Sequence, residues 1–228
     1  NLGSAMYYLP TAILFNNYDC YPQYVRGDRY SRGNRRVHEV ESLLSRYVSP
    51  FVWLNTEKRK VATLLADRPV YNSTHVVLPP DQTYNGNMRR DLETAIDRVG
   101  RESDEGTHTL VYMTTHGYPG TFQIDNDQEM EYADLLRRLS TVPGTKTIVL
   151  LACYSGSLLD ELAGSNDSTR YNIITSTESS REGVNWNEDK VHDAVAAKML
   201  RNEPISSLNL PAFEEHTPQK LLNFDVRL

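Results

Sequence analysis

The stretch from Lys146 to Ser157, Lys-Thr-Ile-Val-Leu-Leu-Ala-Cys-Tyr-Ser-Gly-Ser, decides how this chain is interpreted. Its first seven residues are mostly apolar, which is typical of a strand buried in a sheet. The strand pattern ends at Cys153. Small polar residues follow, and then a helical pattern takes in Leu158 to Leu162. The sequence therefore predicts a core strand that carries a cysteine to a strand–helix turn at one edge of a sheet.

A second predicted core strand, residues 109–115, ends in His116-Gly117. If the two strands are parallel neighbours, His116 and Cys153 emerge at the same edge of the sheet, where α/β proteins place their active sites. A thiol nucleophile needs a base beside its sulfur and N–H donors near the developing oxyanion. A lone cysteine or a lone His-Gly is usually structural. Their placement at two strand ends favours a catalytic pair.

The other patterns alternate strands with helices along the chain. We predict strands at 12–16, 50–54, 122–124 and 171–176, and helices from about 34 and at 58–66, 88–100, 129–140 and 189–201. Such alternation implies right-handed crossovers and a mainly parallel sheet with helices on both faces. The expected fold class is a three-layer α/β/α sandwich. Residues 12–228 form one domain in this interpretation, and residues 1–11 an N-terminal extension.

Composition narrows the classes of partner. The 228 residues carry a net charge of −6, which argues against a nucleic-acid-binding protein with a basic face. No apolar run approaches the ~18 residues that span a membrane, so we expect no membrane partner. There are two cysteines, Cys20 and Cys153, too few for a disulfide framework. No paired Cys or His spacing suggests a structural zinc site.

Four stretches resemble one family of peptidases. Leu110–Gly117 and Val149–Ser157 resemble the histidine strand and the nucleophile strand of the legumain (asparaginyl endopeptidase) family, within the caspase-type superfamily. Residues 68–86, with Arg-Pro, Val-Val-Leu-Pro-Pro-Asp and Tyr-Asn-Gly, resemble the family's segment before the helix that precedes the histidine strand. Ser180–Glu182 resembles a turn that lines the family's P1 pocket. The resemblance runs from about residue 12 to 200.

The resemblance implies a caspase-like fold and a cysteine endopeptidase that acts through a thioester. It assigns His116 as the base and Cys153 as the nucleophile, with the N–H groups of Gly117 and Cys153 as oxyanion donors. No metal or organic cofactor is implied. The expected partners are protein or peptide substrates and a possible inhibitory prosegment. Relatives of this kind mature from a proform and favour acidic conditions. The resemblance suggests a lysosomal, vacuolar or secreted location and leaves a cytoplasmic one open.

The family's P1 pocket uses an arginine from the loop after the first strand, where this chain offers Arg26, Arg29 and Arg32. We favour Arg32, because it lies just before the predicted helix. The resemblance also places Leu151, Ser176 and Glu182 at the pocket. Legumains carry an acidic residue where this chain has Leu151, and two serines where it has Gly183-Val184. An asparagine side chain needs both donors and acceptors, so we expect an altered P1 preference, apolar or acidic.

Three questions stay open at the level of the sequence. The residue that orients the His116 ring has several candidates, namely Glu178, Glu182, Asp19, Asp28, Asp125 and Asp127. A transamidase of the same superfamily is an alternative function, because Tyr112–Gly117 is close to that relative's histidine strand. Leu151–Tyr154 does not match its nucleophile strand, however. The other alternative is a catalytically inactive caspase-like scaffold, against which the retained His116 and Cys153 argue.

Overall fold

A six-stranded sheet forms the centre of the molecule. The computed structural model describes residues 9–16, 73–77, 88–125, 128–183, 185–201, 203–210 and 217–228. The strands follow the spatial order β2-β1-β3-β7-β8-β9. They are β1 Leu9–Asn16, β2 Ser73–Val77, β3 Thr107–Thr114, β7 Thr145–Leu151, β8 Tyr171–Thr175 and β9 Gln219–Leu221. Every pairing is parallel except that of β9, which runs antiparallel to β8. The predicted parallel pairing of the histidine and cysteine strands is confirmed.

Helices cover both faces of this sheet. They are α1 Met88–Glu102, α2 Tyr132–Leu139, α3 Ser157–Ala163 and α4 Asn185–Arg201, with short 3-10 turns at Ser168–Arg170 and Ile205–Ser207. One face of β3 and β7, with Val111 and Ile148, packs with residues of α1, α2 and α3. The other face, with Leu110 and Val149, packs with residues of α4 and the C-terminal segment. Successive strand residues point to opposite faces, which gives two separate cores and the predicted three layers.

A small antiparallel sheet follows the histidine strand. It consists of β4 Gly117–Tyr118, β5 Thr121–Asp125 and β6 Gln128–Glu131. The predicted helix at 129–140 is therefore wrong at its start, because residues 128–131 pair with β5 and the helix begins at Tyr132. Met130 is buried between the exposed residues Glu129 and Glu131, which is the alternation of a strand. This alternation covers only four residues, so in the sequence it merges with the helical pattern that follows.

The remaining predictions differ from the structure mainly at element ends. Strand β1 begins at Leu9, three residues before the predicted start, and α4 begins four residues before its predicted start. The edge strands β2 and β9 are five and three residues long, too short to carry a clear pattern, and neither was predicted. The predicted strand at 50–54 and the helices near 34 and 58–66 lie outside the described residues. Within the described ranges, every helix is too short or too polar to cross a membrane.

Candidate active site

The ends of β3 and β7 lie side by side at one edge of the sheet. Thr114 pairs with Leu151, and the N–H of Thr115 donates to the Leu151 carbonyl at 3.2 Å, which continues the ladder by one residue. A side chain built at Gly117 would overlap the carbonyl oxygen of Cys153. The histidine loop and the nucleophile loop are thus in backbone contact. Glycine is required at position 117 by the Cys153 main chain.

The main chain of His116 is held by the small sheet. Its carbonyl accepts the N–H of Gln123 at 2.9 Å. The hydroxyl of the preceding Thr115, which is fully buried, donates to the Gln123 carbonyl at 2.8 Å. The His116 side chain is half-buried. These bonds fix the residue at the start of a hairpin, so that its position depends on a folded sheet and not on a mobile loop.

The nucleophile loop contains a left-handed backbone conformation that the sequence patterns do not predict. Cys153 is partly buried, takes no part in a disulfide, and its Sγ lies 3.7 Å from the carbonyl oxygen of Gly183, within reach of a weak S–H donor. The next residue, Tyr154, has a φ of +54°, and its N–H donates to the Arg181 carbonyl at 2.8 Å. A left-handed turn at a non-glycine residue is uncommon and is found at functional sites. The Gly183 carbonyl therefore lies beside the thiol, and the Arg181 carbonyl beside the next residue of the nucleophile loop.

Buried hydroxyls tie β8 to the nucleophile strand. Ser176 is fully buried, and its hydroxyl oxygen accepts the N–H of Ala152 at 3.1 Å. Ser155 is also fully buried, and its hydroxyl oxygen accepts the N–H of Thr177 at 3.0 Å. We predicted that Ser176 binds substrate. The structure places its hydroxyl against the main chain just before Cys153, where it satisfies a backbone donor that burial would otherwise leave without a partner.

Gly156 lets the loop after β8 cross the nucleophile turn at close range. A methyl group at this position would lie 2.5 Å from the N atom of Ser179 and 2.7 Å from the carbonyl carbon of Glu178. Both are main-chain atoms, which do not move aside cheaply. Glycine is thus needed at position 156 because the main chain of residues 178–179 passes close to it. The sequence showed the glycine but not the segment that needs it.

The other predicted pocket residues are not all brought together. Leu151 is 2% exposed and belongs to the core beneath α4, together with Val191 and Val195. Glu182 is exposed at the rim of the loop, beside Gly183. Arg32 lies outside the described residues. A pocket built from all four predicted side chains is therefore not described by the structure.

Of the candidates for orienting His116, the structure describes two side chains. Glu178 accepts the N–H of Thr217 at 2.8 Å and lies 3.5 Å from Nε of Arg181, so its carboxylate is engaged by the segment that leads into β9 and by its own loop. Glu182 is exposed. The side chains of aspartates 19, 28, 125 and 127 are not among those described. No cluster of His, Cys, Asp and Glu suited to a metal ion occurs among the described residues.

Tyr132 is a residue near the nucleophile that no sequence motif indicated. Its ring is fully buried and stacks on Phe122 with centroids 5.6 Å apart. Burial raises the pKa of the Tyr132 phenol well above its usual range, and the nearby Cys153 adds to the shift. Its N–H donates to the Gly120 carbonyl at 3.0 Å. The signal was hidden because Tyr132 falls at the junction of a strand and a helix.

A comparison with family models identifies the family of this chain. A family model described as the Peptidase C13 family matches residues 88–208, more than half of the chain, including both strand ends. The chain belongs to the Peptidase C13 family. This is the legumain family, so the resemblance seen in the sequence is confirmed. The match to this family spans the segment from α1 to the 3-10 turn that follows α4.

A solved structure supports the fold independently. The crystal structure of caspase-1 from Spodoptera frugiperda matches with a TM-score of 0.53 at 13% identity, over 86% of this chain and 70% of that chain. At such identity the likeness shows the caspase-like fold alone. Among the curated proteins, none matches the chain. Membership of the C13 family, joined to a caspase-like fold, supports a function of the cysteine-peptidase type.

Proposed function

We propose that the protein is a cysteine endopeptidase in which Cys153 is the nucleophile and His116 the general base. The observation that carries the proposal is the backbone contact between Gly117 and Cys153, which joins the two loops that follow β3 and β7. A nucleophile and a base must be held in a fixed relation for attack. Parallel pairing of the two strands holds Thr114 beside Leu151, and the contact continues this arrangement to Gly117, the neighbour of His116, and Cys153.

The reaction divides into acylation and deacylation. In acylation His116 takes the thiol proton as Sγ of Cys153 attacks the carbonyl carbon. The C–N bond then breaks, and the proton passes from His116 to the departing amine. In deacylation a water molecule gives a proton to His116 and attacks the thioester carbon, the carboxyl product leaves and the thiol is restored. In both steps the N–H groups of Gly117 and Cys153 would stabilise the oxyanion.

The P1 preference is proposed to differ from that of legumain. Leu151 stands where legumains carry an acidic residue and, buried in the core beneath α4, offers no polar group to a P1 side chain. The Ser176 hydroxyl is bonded to the main chain of Ala152, so it is not set to bind a substrate amide. These two features reduce the polar partners that an asparagine side chain requires. We therefore infer a P1 side chain that is apolar or acidic.

The catalytic roles are tested with a denatured protein mixture whose cleaved ends are sequenced. The wild-type protein should cut it, whereas Cys153→Ala and His116→Ala should lower the cleavage rate by at least about 1000-fold. Cys20→Ala provides the matched cysteine control and should cut like the wild type. Equal cleavage by wild type and Cys153→Ala would reject the proposal.

The same sequenced ends test the P1 preference separately. An excess of apolar or acidic residues before the cut supports the altered pocket. Strict cleavage after asparagine would reject that part and leave the catalytic roles in place. A synthetic peptide series that varies only the P1 residue gives kcat/KM for each side chain and measures the size of the preference.

A further inference from the structure

The small sheet after His116 has one face turned inwards and one turned outwards. Gly117, Phe122 and Met130 are mutually paired across its three strands and are buried. Paired residues on neighbouring antiparallel strands share a face. The next row, Tyr118, Thr121 and Glu131, therefore lies on the opposite face, and in agreement Tyr118 is 42% exposed and Glu131 is exposed. An aromatic ring, a hydroxyl and a carboxylate thus form one outward row.

The turn that begins at the exposed Tyr118 is held by hydrogen bonds. It runs tightly through Pro119 and Gly120 to Thr121, and Gly120 has a φ of +78°, which suits the third position of a type II turn. The N–H of Gly120 donates to the Ser157 hydroxyl at 3.0 Å, and that hydroxyl donates to the Tyr154 carbonyl at 2.7 Å. The turn is thereby fastened to the nucleophile loop. The exposed ring is large and apolar, and among the described residues it is the one such side chain at the surface.

The chemistry of the proposed reaction indicates which part of a substrate would meet this row. His116 must give its proton to the departing amine, so the residues after the scissile bond leave the site on the side of His116. Tyr118 comes two residues after His116 and next to Gly117, whose backbone contacts Cys153. The α-carbon of Tyr118 is two residues from that of His116 and therefore at most about 7 Å away, a span that two or three substrate residues beyond the cut can cover.

We propose that Tyr118 and Glu131 determine specificity on the leaving-group side, by binding a lysine or arginine two or three residues after the scissile bond. The face of an aromatic ring attracts a cation, and a carboxylate in the same row adds charge complementarity. Among the described residues, no cationic side chain lies within 4.0 Å of the Glu131 carboxylate, so its charge is not already neutralised there. This inference rests on the proposed endopeptidase function and names a substrate feature for it.

The experiment uses peptides with one fixed sequence before the cut and lysine, alanine or glutamate at each of four positions after it. The wild type should prefer lysine over alanine by about 5-fold in kcat/KM at the second or third position. Tyr118→Phe should keep this ratio, and Tyr118→Ser and Glu131→Gln should each lower it towards 1. Glu131→Lys should invert it, with glutamate now preferred over lysine.

The controls separate this inference from the proposed function. Glu161 is an exposed glutamate on α3, and Glu161→Gln should leave the lysine preference unchanged, because a general change of charge does not act at the row. Should Tyr118→Ser fail to fold, the inversion by Glu131→Lys still decides. If cleavage depends on Cys153 but neither Glu131 variant alters the lysine-to-alanine ratio of kcat/KM, this inference is wrong and the proposed function stands. Cleavage that does not depend on Cys153 overturns the proposed function instead.

Discussion

At the scale of single residues, Gly117 is the tightest constraint in the described part of the site. Its α-carbon faces the Cys153 carbonyl and the Ala152 side chain, so even a methyl group has no room. The surrounding atoms are mostly main chain of the nucleophile loop, and they can give way only by moving that loop. A change at residue 117 therefore acts on the nucleophile without touching its sulfur.

We predict that Gly117→Ala lowers kcat/KM by about 100-fold or more, because a shift of about 1 Å at reacting groups has effects of that size. It should also lower the free energy of unfolding by about 1–3 kcal/mol through overpacking. Gly164→Ala is the control, since its added methyl would meet nothing closer than 3.6 Å. Peptide cleavage and urea unfolding measure both effects, and unchanged cleavage by Gly117→Ala would show that the contact does not position the thiol.

At the scale of elements, the loop of residues 176–183 does more than connect β8 to α4. It provides main-chain acceptors for the Tyr154 N–H and the Cys153 thiol, and it crosses Gly156 closely. The carboxylate of Glu178 accepts the Thr217 N–H, so the loop is also fastened to the segment that leads into β9. The loop therefore couples the nucleophile turn to the sheet edge formed by β8 and β9.

We predict that Gly156→Ala displaces this loop and raises KM for peptide substrates, with a loss of stability of about 1–3 kcal/mol. The P1 preference should broaden, because residues 178–183 would no longer be held against the nucleophile turn. Gly100→Ala in helix α1 is the matched control. Its methyl would have 3.8 Å to its nearest neighbour, and alanine favours a helix. A Gly156→Ala protein with a wild-type P1 profile and unfolding curve would contradict this role of the loop.

At the scale of the whole molecule, a buried histidine links two central strands. His108 of β3 lies between two hydroxyls of β7, with Nδ1 3.0 Å from Thr145 Oγ1 and Nε2 3.0 Å from Thr147 Oγ1. Burial lowers the pKa of His108 to about 3, and the nearby Lys146 cation contributes to the shift. His108 is therefore neutral in the folded protein over the range in which an exposed histidine becomes charged.

This neutral histidine should make the fold sensitive to acid. Between pH 6.5 and about 3 the unfolded chain takes up a proton at His108 and the folded chain does not, so acidification favours unfolding in that window. We predict that the melting temperature of the wild type falls as the pH drops from 7 to 4. The melting temperature of His108→Gln should fall less steeply over the same range. Melting curves at each pH give the comparison, and parallel curves for the two proteins would remove His108 from the explanation.

The sequence could predict much of this architecture because strong patterns are local. The apolar strands that lead to His116 and Cys153 were identified from their own residues, and their parallel pairing is now described. Residues 128–131 were misread because a four-residue alternation merges with the helical pattern after it. Arg32 was predicted from family likeness and from its position just before a predicted helix; it lies outside the described residues, so its place at the pocket stays a prediction.

The amino-acid pattern alone indicates the central strands β3, β7 and β8, the helices α1 to α4, the family resemblance, and the pair of residues at two strand ends. Periodicity and small motifs encode these features within a few neighbouring residues. Only the tertiary structure decided that Gly117 presses on the Cys153 main chain, that Ser176 bonds Ala152, and that Tyr118 and Glu131 share a row. Each of these contacts joins residues well apart along the chain or on different strands. Their register is set by packing and pairing of whole elements, which no local pattern records.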